Sequence, residues 1–239
     1  LIEEVRNMKL RLDAPDVNTS EYKFTVSEDG RILYGLGAIK GVGEGPVEAI
    51  TESRLAGPFK DLFDFCARVD LKRINKRTLD GLIRSGALDR LGPYFEIEPK
   101  AYQANIDRNR SVLLAALEEA IQAAEQTARS HDSGHSDLFG GLFVEEDADV
   151  YANHRKAKEL SLKERLRGEK ETLGLYLTGH PIDEYEGEIR RFARQRIIDL
   201  KPARDTQTVA GMIIALRVMK NKKGDKMGFI TLDDRSGRI

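Results

Sequence analysis

Apolar residues change their spacing repeatedly along this chain, and each change marks an element. Leu1, Ile2, Val5, Met8 and Leu12 recur at steps of three and four, which predicts the end of an amphipathic helix. Pro15 in DAPDVNTS breaks that period. Tyr22, Phe24 and Val26 then alternate with polar residues up to a turn at Ser27–Gly30, with Ile32 and Tyr34 beyond it, a β-hairpin pattern. Leu36 and Ile39 suit a short helical turn. Val47, Ile50 and Leu55 give a helix from about Glu44 to Arg54 an apolar side, with Glu48 and Glu52 facing out. A second, degenerate copy of this helix–turn–helix unit follows. It comprises a helix over Asp61–Arg68, a turn over Asp70–Ile74 and a helix over Asn75–Ser85, in which Asn75 is placed as N-cap, Leu79, Leu82 and Ile83 as core stripe and Gly86 as terminator.

Beyond a two-proline loop, Ile106, Leu113, Leu114, Leu117, Ile121 and Ala124 predict a long helix from Tyr102 to about Ala128, expected to act as a strut carrying the next segment away from the hairpins. That segment, SHDSGHSDLFGGLF, is polar and glycine-rich yet carries Leu138, Phe139, Leu142 and Phe143; these either dock a partner or fold back onto neighbouring helices. Helix is expected to resume over Tyr151–Arg167 and again over Glu169–Leu177, with Gly179 as its C-cap. Pro181 then opens a helix carrying Ile182, Tyr185, Ile189 and Phe192. From Gln207 the period becomes two. Val209–Val218, a turn at Lys220–Gly224, Lys226–Leu232 and the turn DDRSG predict a β-meander that could open an OB-type barrel. The fold class expected is therefore α+β, mostly α.

The stretch with the most chemistry is GLGAIKGVGEGPVEAI, residues 35–50. Gly41, Gly43 and Gly45 can take positive φ and leave their amides uncovered, while Val42 turns inward and Pro46 suits a first helical turn. Amides fanning out ahead of a helix N-terminus make an anion site, and nucleic-acid phosphate is the abundant large anion. The same pattern also fits a glycine turn between packed helices. A dinucleotide fingerprint is excluded, because no strand precedes the glycines and the following LAGPFKDLFDF supplies no second strand ending in an acid. The surviving specific reading is a helix-hairpin-helix, gripping the phosphodiester backbone with the hairpin amides and with Lys40, Lys72, Arg73, Lys76 and Arg77. Those last four cations are expected to look outward.

Charge supports a local contact only. The 239 residues carry a net charge of −1, whereas residues 31–90 hold 11 Lys or Arg against 8 Asp or Glu, a net of +3. A basic turn near the C-terminus, with Lys220, Lys222 and Lys223, lies close to Phe229, which reads either as a stacking platform for single-stranded DNA or as a core residue. Cys66 in LFDFCARV reads as a buried small hydrophobe, and a lone thiol fits a reducing cytoplasm. The four histidines lack zinc-site spacing, and there is no signal peptide or 18-residue apolar run, so neither metal nor membrane is expected. No nucleophile or paired carboxylate marks a catalytic centre. The chain starts at Leu1 and stops at Ile239 in mid-pattern, which reads as a fragment.

The runs YGLGAIKGVGEGPVEAI, GPFKDLFDFCARVD, NKRTLDGLIRSGALD, SDLFG, EKETLGLYLTGHP and VAGMIIALRVMKNKKGDKMGFITLDD occur in this order across nearly the whole chain. This succession closely resembles the C family of bacterial replicative DNA polymerases, the DNA polymerase III alpha subunits. The resemblance implies that residues 1–34 end a fingers region, that 35–195 form a tandem helix-hairpin-helix and sliding-clamp-binding domain, and that 196–239 begin an OB-fold. It places the palm, with its catalytic aspartates and Mg²⁺, outside this chain; Asp233 and Asp234 belong to a turn. Gly41, Val42 and Gly43 match the family's first DNA-binding hairpin. His135, Ser136, Asp137, Leu138 and Phe139 match its clamp peptide, with His135 where glutamine is usual. An imidazole cannot copy the paired donor and acceptor of an amide, so weaker clamp affinity is expected. The partners implied are duplex primer–template DNA, the sliding clamp (beta subunit), other replicase subunits and single-stranded DNA. A stand-alone helix-hairpin-helix repair or recombination factor is the alternative.

Overall fold

The computed structural model describes residues 10–96, 98–132, 149–193 and 195–239, together with Val5 and Met8. Its fold is α+β and mostly α, in two compact units, residues 1–177 and 178–239. Residues 178–195, expected with the helical domain, cluster with the strands that follow them.

Most of the helix expected over Leu1–Leu12 lies outside the described residues, and Leu12 instead opens a strand. Strands β1 (Leu12–Asp13), β2 (Thr25–Val26) and β3 (Ile32–Leu33) form a small sheet in the order β1-β3-β2. The hairpin is β2 against β3. Its turn closes because Gly30 takes φ +77° and Ser27 Oγ accepts the Arg31 N–H. The parallel pairing of β1 with β3, Leu12 opposite Ile32, is held beside an Asp13–Arg31 ion pair of 2.6 Å.

A 3₁₀ turn, Leu36–Ala38, leads into α1 (Glu44–Arg54). Val47 and Ile50 are buried as expected, but Leu55 is 87% exposed, because it follows the last helical residue and no longer lies on the inward stripe. The second copy consists of α2 (Leu62–Arg68) and α3 (Lys76–Ser85). Asp61 Oδ1 caps α2 through the Asp64 N–H, and Asn75 Oδ1 caps α3 through the Thr78 N–H. Gly86, at φ +89°, ends α3. Within α2, Cys66 is buried beside Phe65, and burial pushes its thiol up to about 12.

Helix α4 (Pro99–Asp132) spans 34 residues. It is not a strut held clear of the hairpins. Ile106, Val112, Leu113, Ala116, Leu117, Ala120 and Ala124 are buried, and the helix lies against α2 and α3; only past Ala124 is its surface exposed on every side. An alanine-rich face lets helices approach closely, which is why this sequence favours a core position. Burying such a run of aliphatic side chains contributes roughly 1.5–3 kcal/mol for each large one, so α4 is the main organiser of the unit.

Two helix boundaries differ from expectation. Residues 151–161 form turns and coil; α5 (Leu162–Leu173) begins only where Ser161 and Glu164 build a reciprocal capping box. It ends at Gly174, in the left-handed region at φ +75°, before Gly179 is reached. In the second unit, Pro181–Tyr185 is 3₁₀ and α6 (Glu186–Phe192) follows it. Ile182 is buried, whereas Tyr185 and Phe192 are exposed, since the change of helix type breaks the single apolar stripe. Strands β4 (Met212–Lys220) and β5 (Lys226–Asp233) pair antiparallel, and Ile239 exchanges backbone hydrogen bonds with Leu232.

Candidate nucleic-acid interface

The first hairpin is rigid where it meets the protein and bare where it meets solvent. Val42 is buried and its N–H donates to the Ile39 carbonyl at 3.0 Å. The Lys40 N–H donates to the Thr172 carbonyl at 2.8 Å, and Tyr34 Oη donates to the Leu173 carbonyl at 3.3 Å, so the C-terminus of α5 is tied to this turn. On its other side Thr78 Oγ1, in the first turn of α3, reaches the Gly41 carbonyl at 3.4 Å.

Of the three glycines, only Gly41 needs its freedom of φ, at +87°. Gly43 is extended (φ −81°, ψ −177°) and Gly45 is already helical, because α1 starts one residue after Gly43. A side chain at any of the three would meet nothing within 4 Å, so these positions keep an open approach rather than a tight fit. The N–H groups of Gly41, Gly43, Glu44 and Gly45 have no acceptor among the described residues. Free amides at a helix start, beside the positive end of its dipole, suit an anion; Glu44 in the first turn opposes this locally.

The second hairpin repeats the scaffold with different chemistry. Ile74 is buried where the first copy has Val42. Here, however, the Asp70 carbonyl accepts from Arg73 and Ile74, and Asp70 Oδ1 accepts the Lys72 N–H at 2.9 Å. The Asn75 side chain fills the cap position that Gly43 leaves empty.

The cations divide as well. Lys40, Lys72 and Arg77 are exposed with no ion-pair partner among the described residues. Arg73 and Lys76 do not simply look outward, because α1 and α4 bring carboxylates within reach. Arg73 bridges Glu48 (2.5 Å) and Glu52 (2.9 Å), and Lys76 pairs with Glu118, whose carboxyl that hydrogen bond holds below its ordinary pKa. Glu171 is likewise held low, first by its hydrogen bond to Arg167, with smaller help from the charges of Arg84 and Lys40.

A buried ionic network behind the second hairpin was missed in the sequence. Arg110 is 1% exposed; Nε donates to Asp89 Oδ1 (2.9 Å), Nη2 to Asp89 Oδ2 (2.8 Å) and Nη1 to Glu169 Oε1 (3.0 Å). Asp89 also accepts Tyr102 Oη, and Glu169 accepts the Leu177 N–H. Burial opposes the charge on Arg110, but Asp89, Tyr102 and Glu169 outweigh it and push the guanidinium pKa up. The signal was available: Arg110 stands four residues after Ile106 and three before Leu113, on the buried stripe of α4.

In the second unit Lys220, Lys222 and Lys223 are exposed around the β4–β5 turn. Phe229 is 50% exposed and sits opposite Arg217 on one face of the ribbon. His135, Ser136, Asp137, Leu138 and Phe139 lie outside the described residues. Tyr151 is buried, its Oη donating to the Leu91 carbonyl (2.6 Å) and accepting the Leu62 N–H (2.8 Å). Among the described residues no group of three or more His, Cys, Asp or Glu is placed to hold a metal, and no helix is long and apolar enough to cross a membrane.

The helix-hairpin-helix motif family matches residues 9–94. The whole chain is 91% identical over 239 residues to DNA polymerase III subunit alpha of Pseudomonas fluorescens and 81% over 240 to that of Pseudomonas aeruginosa. It is 44% identical over 243 residues to the same subunit of Escherichia coli (strain K12). In each case the chain spans 20% of the relative's length.

Proposed function

We propose that this chain is the DNA-gripping and clamp-docking part of a bacterial replicative DNA polymerase. In this reading the polymerase active site, its catalytic aspartates and its Mg²⁺ belong to the remainder of a subunit of the relatives' size, and this part keeps that site on its template. The carrying observation is the row of unpartnered amides at Gly41, Gly43, Glu44 and Gly45, joined through Thr78 to the helix start that bears Arg77.

The first hairpin takes phosphates of one duplex strand by backbone N–H groups, with Lys40 beside them; Lys72 and Arg77 add side-chain charge from the second copy. Such contacts position without reading sequence. The segment His135–Phe139 docks on the sliding clamp, with Leu138 and Phe139 as anchors and His135 a poor substitute for glutamine. Two modest contacts on one subunit raise each other's effective concentration, which is how processivity arises. The β4–β5 ribbon begins an OB-fold, offering Lys220, Lys222 and Lys223 to single-stranded template and Phe229 to a base. Other replicase subunits complete the assembly in the cytoplasm.

The test uses the 239-residue chain. Binding to two unrelated duplexes should be equal and should weaken steeply with NaCl, by roughly 0.9 in log affinity per log salt for each phosphate neutralised. Calorimetry against purified clamp should give binding that the Leu138→Ala, Phe139→Ala double variant loses. Salt-independent duplex binding would contradict the first half, and unchanged clamp binding by the double variant the second.

A further inference from the structure

Arg73 stands in the basic cluster of the second hairpin, yet its guanidinium is already occupied. Nη1 donates to Glu52 Oε2 at 2.9 Å and Nη2 to Glu48 Oε2 at 2.5 Å. The two acids lie four residues apart on α1, where like charges repel unless a cation stands between them. The planar fork of an arginine meets both at once, which a lysine's single ammonium does not do in the same geometry. A phosphate that captured Arg73 would leave Glu48 and Glu52 unpaired next to anionic DNA.

What Arg73 holds also matters. Helix α1 starts at the first hairpin, so the direction of α1 sets the direction in which the free amides of Gly41 and Gly43 point. The far end of α1 is braced separately: Arg68 Nη2 donates to the carbonyls of Ser53 (2.8 Å) and Gly57 (2.6 Å), and Ser53 Oγ donates to the Arg68 carbonyl (3.0 Å).

We propose that Arg73 is a positioning residue that aims the first hairpin, with Glu48 and Glu52 as its seats, and that it makes no phosphate contact. The inference rests on the duplex-binding reading above. Lys72 and Arg77, unpaired at the same turn and helix start, carry the side-chain contacts instead.

The experiment compares the 239-residue chain with Arg73→Lys, Arg73→Gln, Lys72→Gln and Arg77→Gln by titrating a duplex at several NaCl concentrations. The amide resonances of Gly41 and Gly43 are recorded for each without DNA. Arg73→Lys and Arg73→Gln should weaken binding alike, on the order of severalfold, without changing the salt slope. Both should shift the two glycine resonances. Lys72→Gln and Arg77→Gln should each reduce the slope by about 1 and leave those resonances in place. Near-normal affinity in Arg73→Lys with a reduced slope in Arg73→Gln would make Arg73 a phosphate ligand and overturn the proposal. Unmoved glycine resonances in both Arg73 variants would overturn it too. Unchanged slopes in Lys72→Gln and Arg77→Gln would instead remove the side-chain contacts assigned to those two residues, leaving the Arg73 variants and the resonances to decide the positioning role.

Discussion

The two hairpins share a scaffold and differ in what they expose. Each turns one aliphatic residue inward, Val42 or Ile74, and opens into a helix of about three turns. In the second, Asp70 and Asn75 satisfy the local amides from within the chain. In the first, no side chain caps the helix start, and glycine fills the cap position. A cap left to glycine costs only a few tenths of a kcal/mol relative to a good one, so the bare amides come cheaply. The lesson is that repeating a fold does not repeat its chemistry: one copy offers backbone dipoles and the other offers Lys72 and Arg77.

The comparison breaks most completely if the second copy loses its anchor. Arg110 reaches the Arg84 carbonyl at the end of α3 as well as Asp89 and Glu169. Arg110→Leu removes the buried cation that stands between the Asp89 and Glu169 carboxylates, and thermal unfolding should show a loss of about 3–5 kcal/mol. The Cys66 thiol, held up at about 12 by burial, should resist alkylation at pH 8 in the wild type and react in this variant. The raised pKa also sets a sign: stability is fully present below the thiol's ordinary 9.0 and is lost as pH rises from there towards about 12.

A smaller effect sharpens the comparison, because Gly41 and Gly86 share a φ near +88° but not their surroundings. A Cβ on Gly86 would lie 2.4 Å from Arg110 Nη2, whereas one on Gly41 meets nothing within 4 Å. Gly41→Ala should cost about 1–3 kcal/mol of backbone strain, and Gly86→Ala more than that in the same calorimetric measurement. Duplex affinity, measured where both are folded, should fall for Gly41→Ala alone.

Local signals carried much of this architecture. Asp61, Asn75 and Gly86 mark their helix ends because caps act within three or four residues. Gly41–Val42–Gly43 marks the hairpin for the same reason. The end of α5 was misplaced because Gly174 and Gly179 are both acceptable terminators in sequence, and only packing selects between them. Nothing local pairs Leu12 with Ile32 across a parallel strand of two residues. Likewise Arg110 finds Asp89 and Glu169, and Arg73 finds Glu48 and Glu52, over separations that only the tertiary fold closes. The cationic cluster was therefore legible as charge but not as a division into free and occupied groups.

The central claim is that the first hairpin holds phosphate with backbone amides, and Gly43→Pro tests it most directly. Its φ of −81° already suits proline, so the substitution removes one N–H while adding no charge. With thermal stability close to wild type, duplex affinity should fall roughly 10- to 100-fold, the worth of one hydrogen bond to a charged group. Wild-type affinity in the folded proline variant would contradict the account and move the grip to the lysines and arginines alone.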